Sequence, residues 1–284
     1  MLEAAAPAVA AMWPERAGTY CCPLCGKFLT EDQIDELSPD HAPPSKLPGR
    51  RRVTVLTCDQ CNHNYGATVD AAMIEYEELR DARRGTMTRP RRGFVMTAEG
   101  QVAVNLQISP ASVLIFGVPE ASSKKAHAAW VQEMETQLPS GGKLSIGTVA
   151  PRYPRRLAEV GWLRAAYLIA FAAFGYRYAF SAALEQVRAQ LLPENLDRVL
   201  IKVFAGLIQG AGKSDAAIRH IREPERLRSI TVQMGEHLVF LPVLGDTQLY
   251  ARLEDESSNL GTFNFTDVPW PVPPTYGMDS VNQG

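Results

Sequence analysis

The chain has 284 residues, an apolar fraction of 46% and a net charge of −2, which gives about two domains with real cores and excludes a protein that coats nucleic acid over its whole surface; only a local basic patch could serve that role. Four of its five cysteines stand in Cys-x-x-Cys pairs, which points to metal rather than disulfides and to a reducing compartment. The first residues, MLEAAAPAVAAMWPER, do not read as a signal peptide, and the most apolar run, 165–176, is short and flanked by Arg164 and Arg177, so the expectation is a soluble, cytoplasmic protein without a membrane partner.

Residues 1–17, rich in Ala and Pro, read as a flexible lead. Over 20–28 the run Cys22-Pro-Leu-Cys25-Gly26 reads as a knuckle whose tight turn points two thiols inward. Thr30-Glu-Asp-Gln33 is a capping box for a short helix or turn over 31–37. Pro39, Pro43, Pro44 and Pro48 forbid regular helix over 39–49, which leaves Asp40-His41 on a strand end or loop. The alternating, β-branched stretch 50–57 reads as a strand, and 62–83 as a helix with Ala67, Ala71, Ile74 and Leu79 near one face. The polar, basic stretch 84–93 reads as a domain boundary.

The layout this implies is a metal-bearing domain over 18–85, a linker over 86–93, a larger domain over 94–267 and a Pro-rich, extended tail over 268–284. Within the larger domain, strands are expected at 93–97, 101–108, 112–118 and 143–149, and a helix at 127–138. A long helical stretch, 154–192, can kink at Gly175 and ends at Pro193. Residues 194–209 fit helix and strand alike, and 229–234, 237–243 and 247–253 read as a strand meander. The fold class is α+β with a mainly antiparallel sheet.

The chemistry lies between residues 22 and 70. A two-residue gap lets both thiolates of a pair reach one ion, so Cys22, Cys25, Cys58 and Cys61 can close a tetrahedral shell. Cys21 could be a free thiol or take the place of Cys22. Taken in order, a Cys-x-x-Cys knuckle, Asp40-His41, a strand, and Cys58-Asp-Gln-Cys61-Asn62 opening a helix resemble the treble-clef ββα-metal (HNH) endonucleases, with spacing similar to that of the endonuclease VII-type resolvases. His41-Ala-Pro-Pro44 and Leu56-Thr-Cys58-Asp-Gln-Cys61-Asn62-His-Asn-Tyr-Gly66 resemble the signature of bacterial modules of this family. More weakly, 165–178 (AAYLIAFAAFGYRY) resembles a helix of longer proteins carrying that module.

The resemblance implies a structural Zn²⁺ on the four cysteines, His41 as general base, and Asp40 and Asn62 as ligands of a catalytic Mg²⁺ or Mn²⁺, with Asn64 and then His63 as possible support. Many members place an Asn in the strand before the second cysteine pair to orient the base; this chain has none, and Thr54, Thr57 or a backbone carbonyl could serve in its place. The implied substrate is DNA, RNA being less expected. Two other outcomes stay open: a non-catalytic zinc adaptor, and a subunit of a multi-protein defence or mobile-element system that acts only with its partner.

Arg50, Arg51 and Arg52 belong to a stretch, 50–92, with nine Arg against six Asp and Glu, which suits phosphate contact or a solvated face equally. The sequence Gly210-Ala-Gly-Lys-Ser214 lacks the glycine that a phosphate loop needs at 207, where Leu207 stands. His127, His220 and His237 are isolated and read as ordinary surface or core histidines. The aromatic stretch 162–180 reads as core, and Trp270 as part of a packed tail.

Overall fold

A helix, α1 (Leu2–Met12), opens the structure, a computed structural model that describes residues 2–47, 52–136, 145–213, 215–256 and 263–268. The expected flexible lead is thus a docked helix. Alanine favours the conformation, Val9 is fully buried, and Trp13 just beyond the helix sits edge-on to Phe28, Tyr176 and Phe180 at 5.3, 6.0 and 5.2 Å. Tyr176 and Phe180 lie far along the chain, which is why local composition did not reveal the docking.

A short hairpin follows, β1 (Tyr20–Cys21) against β2 (Phe28–Leu29), with Gly26 at φ +72° making its turn. Thr30 and Gln33 form the capping box of a 3-10 segment, Glu31–Glu36. Next come β3 (Leu37–Ala42) and β4 (Val53–Cys58), paired antiparallel so that Asp40 faces Val55 and His41 faces Thr54. Asp40-His41 therefore sits within a strand; Pro39 is tolerated because the sheet has only two strands. Helix α2 (Asp59–Tyr65) starts directly after β4, passes through a π turn, Gly66–Asp70, and continues as α3 (Ala71–Arg84).

The chain divides into two compact units, 1–74 with 154–284, and 75–153. This replaces the expected split at 86–93: β5 (Arg91–Thr97) already starts inside that stretch, and the metal-bearing segment shares its unit with everything after residue 153. Within the inserted unit, the Glu75 carboxylate accepts the backbone N–H groups of Arg152 at 2.9 Å and Tyr153 at 3.4 Å, which ties its two chain ends together. Its remaining elements are β6 (Gly100–Ile108), β7 (Val113–Gly117), α4 (Lys124–Thr136) and β8 (Ile146–Thr148), in an antiparallel sheet of order β7-β6-β5-β8. One sheet face buries Val95, Val102, Val104 and Leu106 against Ala126 and Trp130 of α4.

The first unit resumes with α5 (Arg155–Ala179), kinked at Gly175, where φ is +71°. After it come α6 (Glu185–Leu191), β9 (Ala205–Leu207), β10 (Ala216–Glu223), β11 (Ser229–Met234), β12 (His237–Pro242), α7 (Leu249–Asp255) and β13 (Asn264–Val268). The five strands form an antiparallel sheet of order β13-β10-β11-β12-β9. The stretch expected as a third meander strand, 247–253, is helical instead, because Leu249, Tyr250 and Leu253 bury one helical face. Strands β10 and β13 were not anticipated. The tail beyond Val268 lies outside the described residues. The architecture is mixed α+β, with antiparallel sheets and a four-cysteine cluster near the N-terminus.

Helix α5 is the only described helix long and apolar enough to cross a membrane, and 72% of its apolar window is buried inside the fold. Its tyrosines hold the cysteine hairpin by backbone carbonyls: Tyr167 donates to Pro23 O at 2.8 Å and Tyr176 to Cys21 O at 2.9 Å.

Candidate metal centre and adjoining cleft

The Sγ atoms of Cys22, Cys25, Cys58 and Cys61 all lie within 4.8 Å of one another. A tetrahedral zinc–thiolate shell with bonds of ~2.3 Å has sulfur–sulfur edges of roughly 3.8 Å, and Cys25 and Cys58 stand 3.7 Å apart. The backbone N–H of Cys58 also donates to Cys22 Sγ at 3.4 Å, the support a thiolate gains from a nearby amide. Hydrogen bonds from the Cys22 and Cys61 thiols hold Cys25 down at about 4, while the same sharing pushes Cys61 up. Four soft donors at these spacings fit a metal ion such as zinc. Cys21 stands outside the group: burial pushes its thiol up to about 12, and its side chain donates to Cys22 O. That resolves the register in favour of Cys22.

Beside the cluster opens a cleft of about 910 Å³, lined by β3, the β3–β4 connection and α2. Asp40, His41, Asn62, His63 and Asn64 all line it, together with Lys46, Asp59 and Asp70. His41 is half-buried, and its Nδ1 lies 3.1 Å from Thr54 Oγ1 on the facing strand. Asn62, on the first turn of α2, donates through Nδ2 to Ser38 Oγ at 2.9 Å and to Pro39 O at 3.2 Å. These bonds turn its amide nitrogen toward β3. His63 and Asn64 are exposed.

Asp40 is placed differently from its neighbours. It is 2% exposed, and its Oδ2 accepts from Arg164 Nη2 and from Thr57 Oγ1. Arg164, fully buried in α5, also donates through Nη1 to both oxygens of Asp70 at 2.9 and 3.0 Å. Its guanidinium stacks over Tyr65 at 5.0 Å. The π turn and one glycine make this meeting possible. A Cβ on Gly161 would stand 2.8 Å from Val69 O, so only glycine lets α5 approach the turn that carries Asp70; Arg164 lies one helical turn further along the same face. Burial raises both carboxyls, Asp70 to about 6, with Arg164 pulling each back down.

Arg164 and Asp70 are the site residues that sequence reasoning missed. The available signal was a lone arginine inside the apolar helical stretch, since a buried charge demands a partner; by composition alone it reads as the flank of that stretch. Of the expected basic cluster, Arg50 and Arg51 lie outside the described residues. Arg52 is exposed and donates to Ser45 O at 3.2 Å, at the rim of the cleft.

Comparison of the chain with protein-family models, with curated proteins and with solved structures found no match.

Proposed function

We propose that the first unit is a treble-clef ββα-metal (HNH) endonuclease that hydrolyses phosphodiester bonds in DNA. Zinc in the four-thiolate shell would staple the fold with no open position for chemistry. The observation that carries the reading is the convergence of His41, Asp40 and Asn62 on one open cleft directly beside that shell.

The residues suit hydrolysis in the following roles. Thr54 fixes the His41 ring; when its hydroxyl accepts from Nδ1–H, Nε2 carries the lone pair that takes a proton from the attacking water. The water oxygen forms the new bond to phosphorus, the bridging oxygen leaves with its electron pair, and solvent reprotonates it. The oxygens free to hold Mg²⁺ or Mn²⁺ are Oδ1 of Asn62, whose nitrogen is spent on β3, and Oδ1 of Asp40, since Arg164 and Thr57 both take Oδ2. Bound there, such an ion would offset the charge that builds on the phosphate oxygens. Lys46 on the cleft wall and Arg52 at its rim supply cations for the phosphate backbone.

One observation favours a second reading, a metal-stapled adaptor without catalysis. Asp40 is nearly closed off from solvent by its ion pair with Arg164, which costs the cleft part of its strongest anionic ligand. Incubating supercoiled plasmid with purified protein in Mg²⁺, Mn²⁺ or EDTA separates the two. Metal-dependent relaxation that EDTA abolishes supports the nuclease. Intact plasmid in every metal, and equally intact RNA, leaves the adaptor or a subunit that acts only with its partner.

A further inference from the structure

The inserted unit carries a sheet face with unusual chemistry. One face of β5-β6-β7 packs on α4; on the other, no described element of the same unit packs against the strands. An antiparallel sheet face left to solvent is ordinarily polar and charged. Here Phe116, Leu114 and Met96 are 52%, 45% and 43% exposed on it. Large apolar side chains gathered on an open face mark a binding surface.

The register shows what the surface offers. Asn105 of the central strand β6 is flanked by Phe116 on one side and Arg92 on the other. One step along, Gln107 faces Leu114; in the opposite direction Phe94 lies beside Ala103, and Gln101 faces Met96. Phe94 is held flat: its ring occupies the space where a Cβ on Gly147 would sit, 2.2 Å from the ring tip, so the glycine lets the ring lie across β8. The central strand thus presents three carboxamides in a row, with Phe116 beside the middle one and Phe94 beside Ala103 on the opposite flank. Among the described residues the Gln101, Asn105 and Gln107 amides make no side-chain hydrogen bond, and Arg92 makes no ion pair. The outward positions of β5, β6 and β7 contain no Asp or Glu.

We propose that this face binds a single-stranded nucleic acid segment. Unpaired bases stack on aromatic rings and offer donor–acceptor edges that carboxamides match, and the backbone seeks arginine and avoids carboxylates. A duplex hides both its base faces and its Watson–Crick edges, so it cannot use this surface. A partner peptide or a second copy of this chain would need an apolar patch without three unsatisfied amides at its centre. The proposal concerns binding alone and does not require the cleft of the first unit to cut.

Fluorescence anisotropy of the full chain in EDTA, with labelled mixed-sequence single-stranded DNA, the same sequence as RNA, and the DNA duplex, tests it. The expected order is single strand over duplex, with the two single-stranded arms distinguishing the natural sugar. Phe116→Ala should weaken single-strand binding by roughly 10-fold, the worth of one stacked base. Phe116→Trp should restore it, and Arg92→Ala should flatten the salt dependence by about one phosphate contact. Because Phe116 is more than half exposed, neither change at that position threatens the fold, and circular dichroism checks it. Binding that prefers duplex, binding indifferent to Phe116 and Arg92, no binding at all, or a dimer that Phe116→Glu disperses would each overturn the proposal.

Discussion

The guanidinium of Arg164 donates to the carboxylate of Asp40 across 124 residues of sequence, in a place where neither group meets solvent. This contact joins the central helix to the strand that carries His41, and the same arginine reaches Asp70 in the π turn. Two parts of the cleft wall, β3 and the π turn, are therefore held by one cation from a third part of the chain.

Removing that cation should be severe. Arg164→Met leaves two carboxylates buried without a counter-charge, and breaking a buried pair in this way costs on the order of 3–5 kcal/mol. Urea unfolding followed by tryptophan fluorescence would report it through Trp13 and Trp162, both in the first unit. A loss below about 1 kcal/mol, the range of exposed ion pairs, would mean that solvent reaches the cluster.

The same cluster predicts a pH dependence. Burial raises the carboxyl of Asp70 from 3.8 to about 6, with Arg164 pulling it back down. For a raised acid the folded state binds more protons than the unfolded state between these values, so stability falls as pH rises from about 4 to about 6 and then levels off. Asp70→Asn keeps a hydrogen-bond acceptor and removes the titration. The urea midpoint of the variant should vary less than that of the wild type across this window; identical profiles would assign the proton elsewhere.

Metal content offers a third prediction. One zinc per chain should survive dialysis, and Cys58→Ser should lose it together with the structure of the first unit, because the binding energy of such a shell is folding energy. Cys21→Ala should keep the zinc, since Cys21 lies outside the four-sulfur group. Elemental analysis of the three proteins decides this, and a folded but zinc-free wild type would contradict it.

A fragment ending at residue 93, the domain suggested by local composition, should not fold. Its cysteine hairpin rests on Tyr167 and Tyr176, and Asp40 on Arg164, all supplied by α5. Amide proton spectra of the fragment, with and without zinc, should lack dispersion. A well-dispersed spectrum would make α5 dispensable.

These contacts also mark how far the sequence could be read. The cysteine spacing, the capping box at Thr30, the extended stretch before Cys58 and the kink at Gly175 are local patterns, and the structure has each of them in place. Thr54 is one of the alternatives that the family resemblance offers for orienting His41, and the pairing of β3 with β4 brings the two together. The docking of α1, the grouping of α5 with the cysteine hairpin, and the Arg164 cluster are tertiary. They join residues far apart in the chain, 94 positions for Arg164 and Asp70 and 155 for Tyr176 and Cys21, and no periodicity carries that information. The stretch 84–93 looked like a linker because it is polar and rich in turn residues, yet strand β5 begins within it.

The central claim is that His41 moves a proton and holds no part of the fold. The most direct measurement is single-turnover plasmid cleavage by wild type and His41→Ala at matched zinc content and melting temperature. The nuclease account predicts unchanged zinc and stability with cleavage reduced by roughly 10²–10⁴-fold, the usual worth of a positioned base. Equal cleavage by the two proteins, or loss of zinc on substitution, would contradict it.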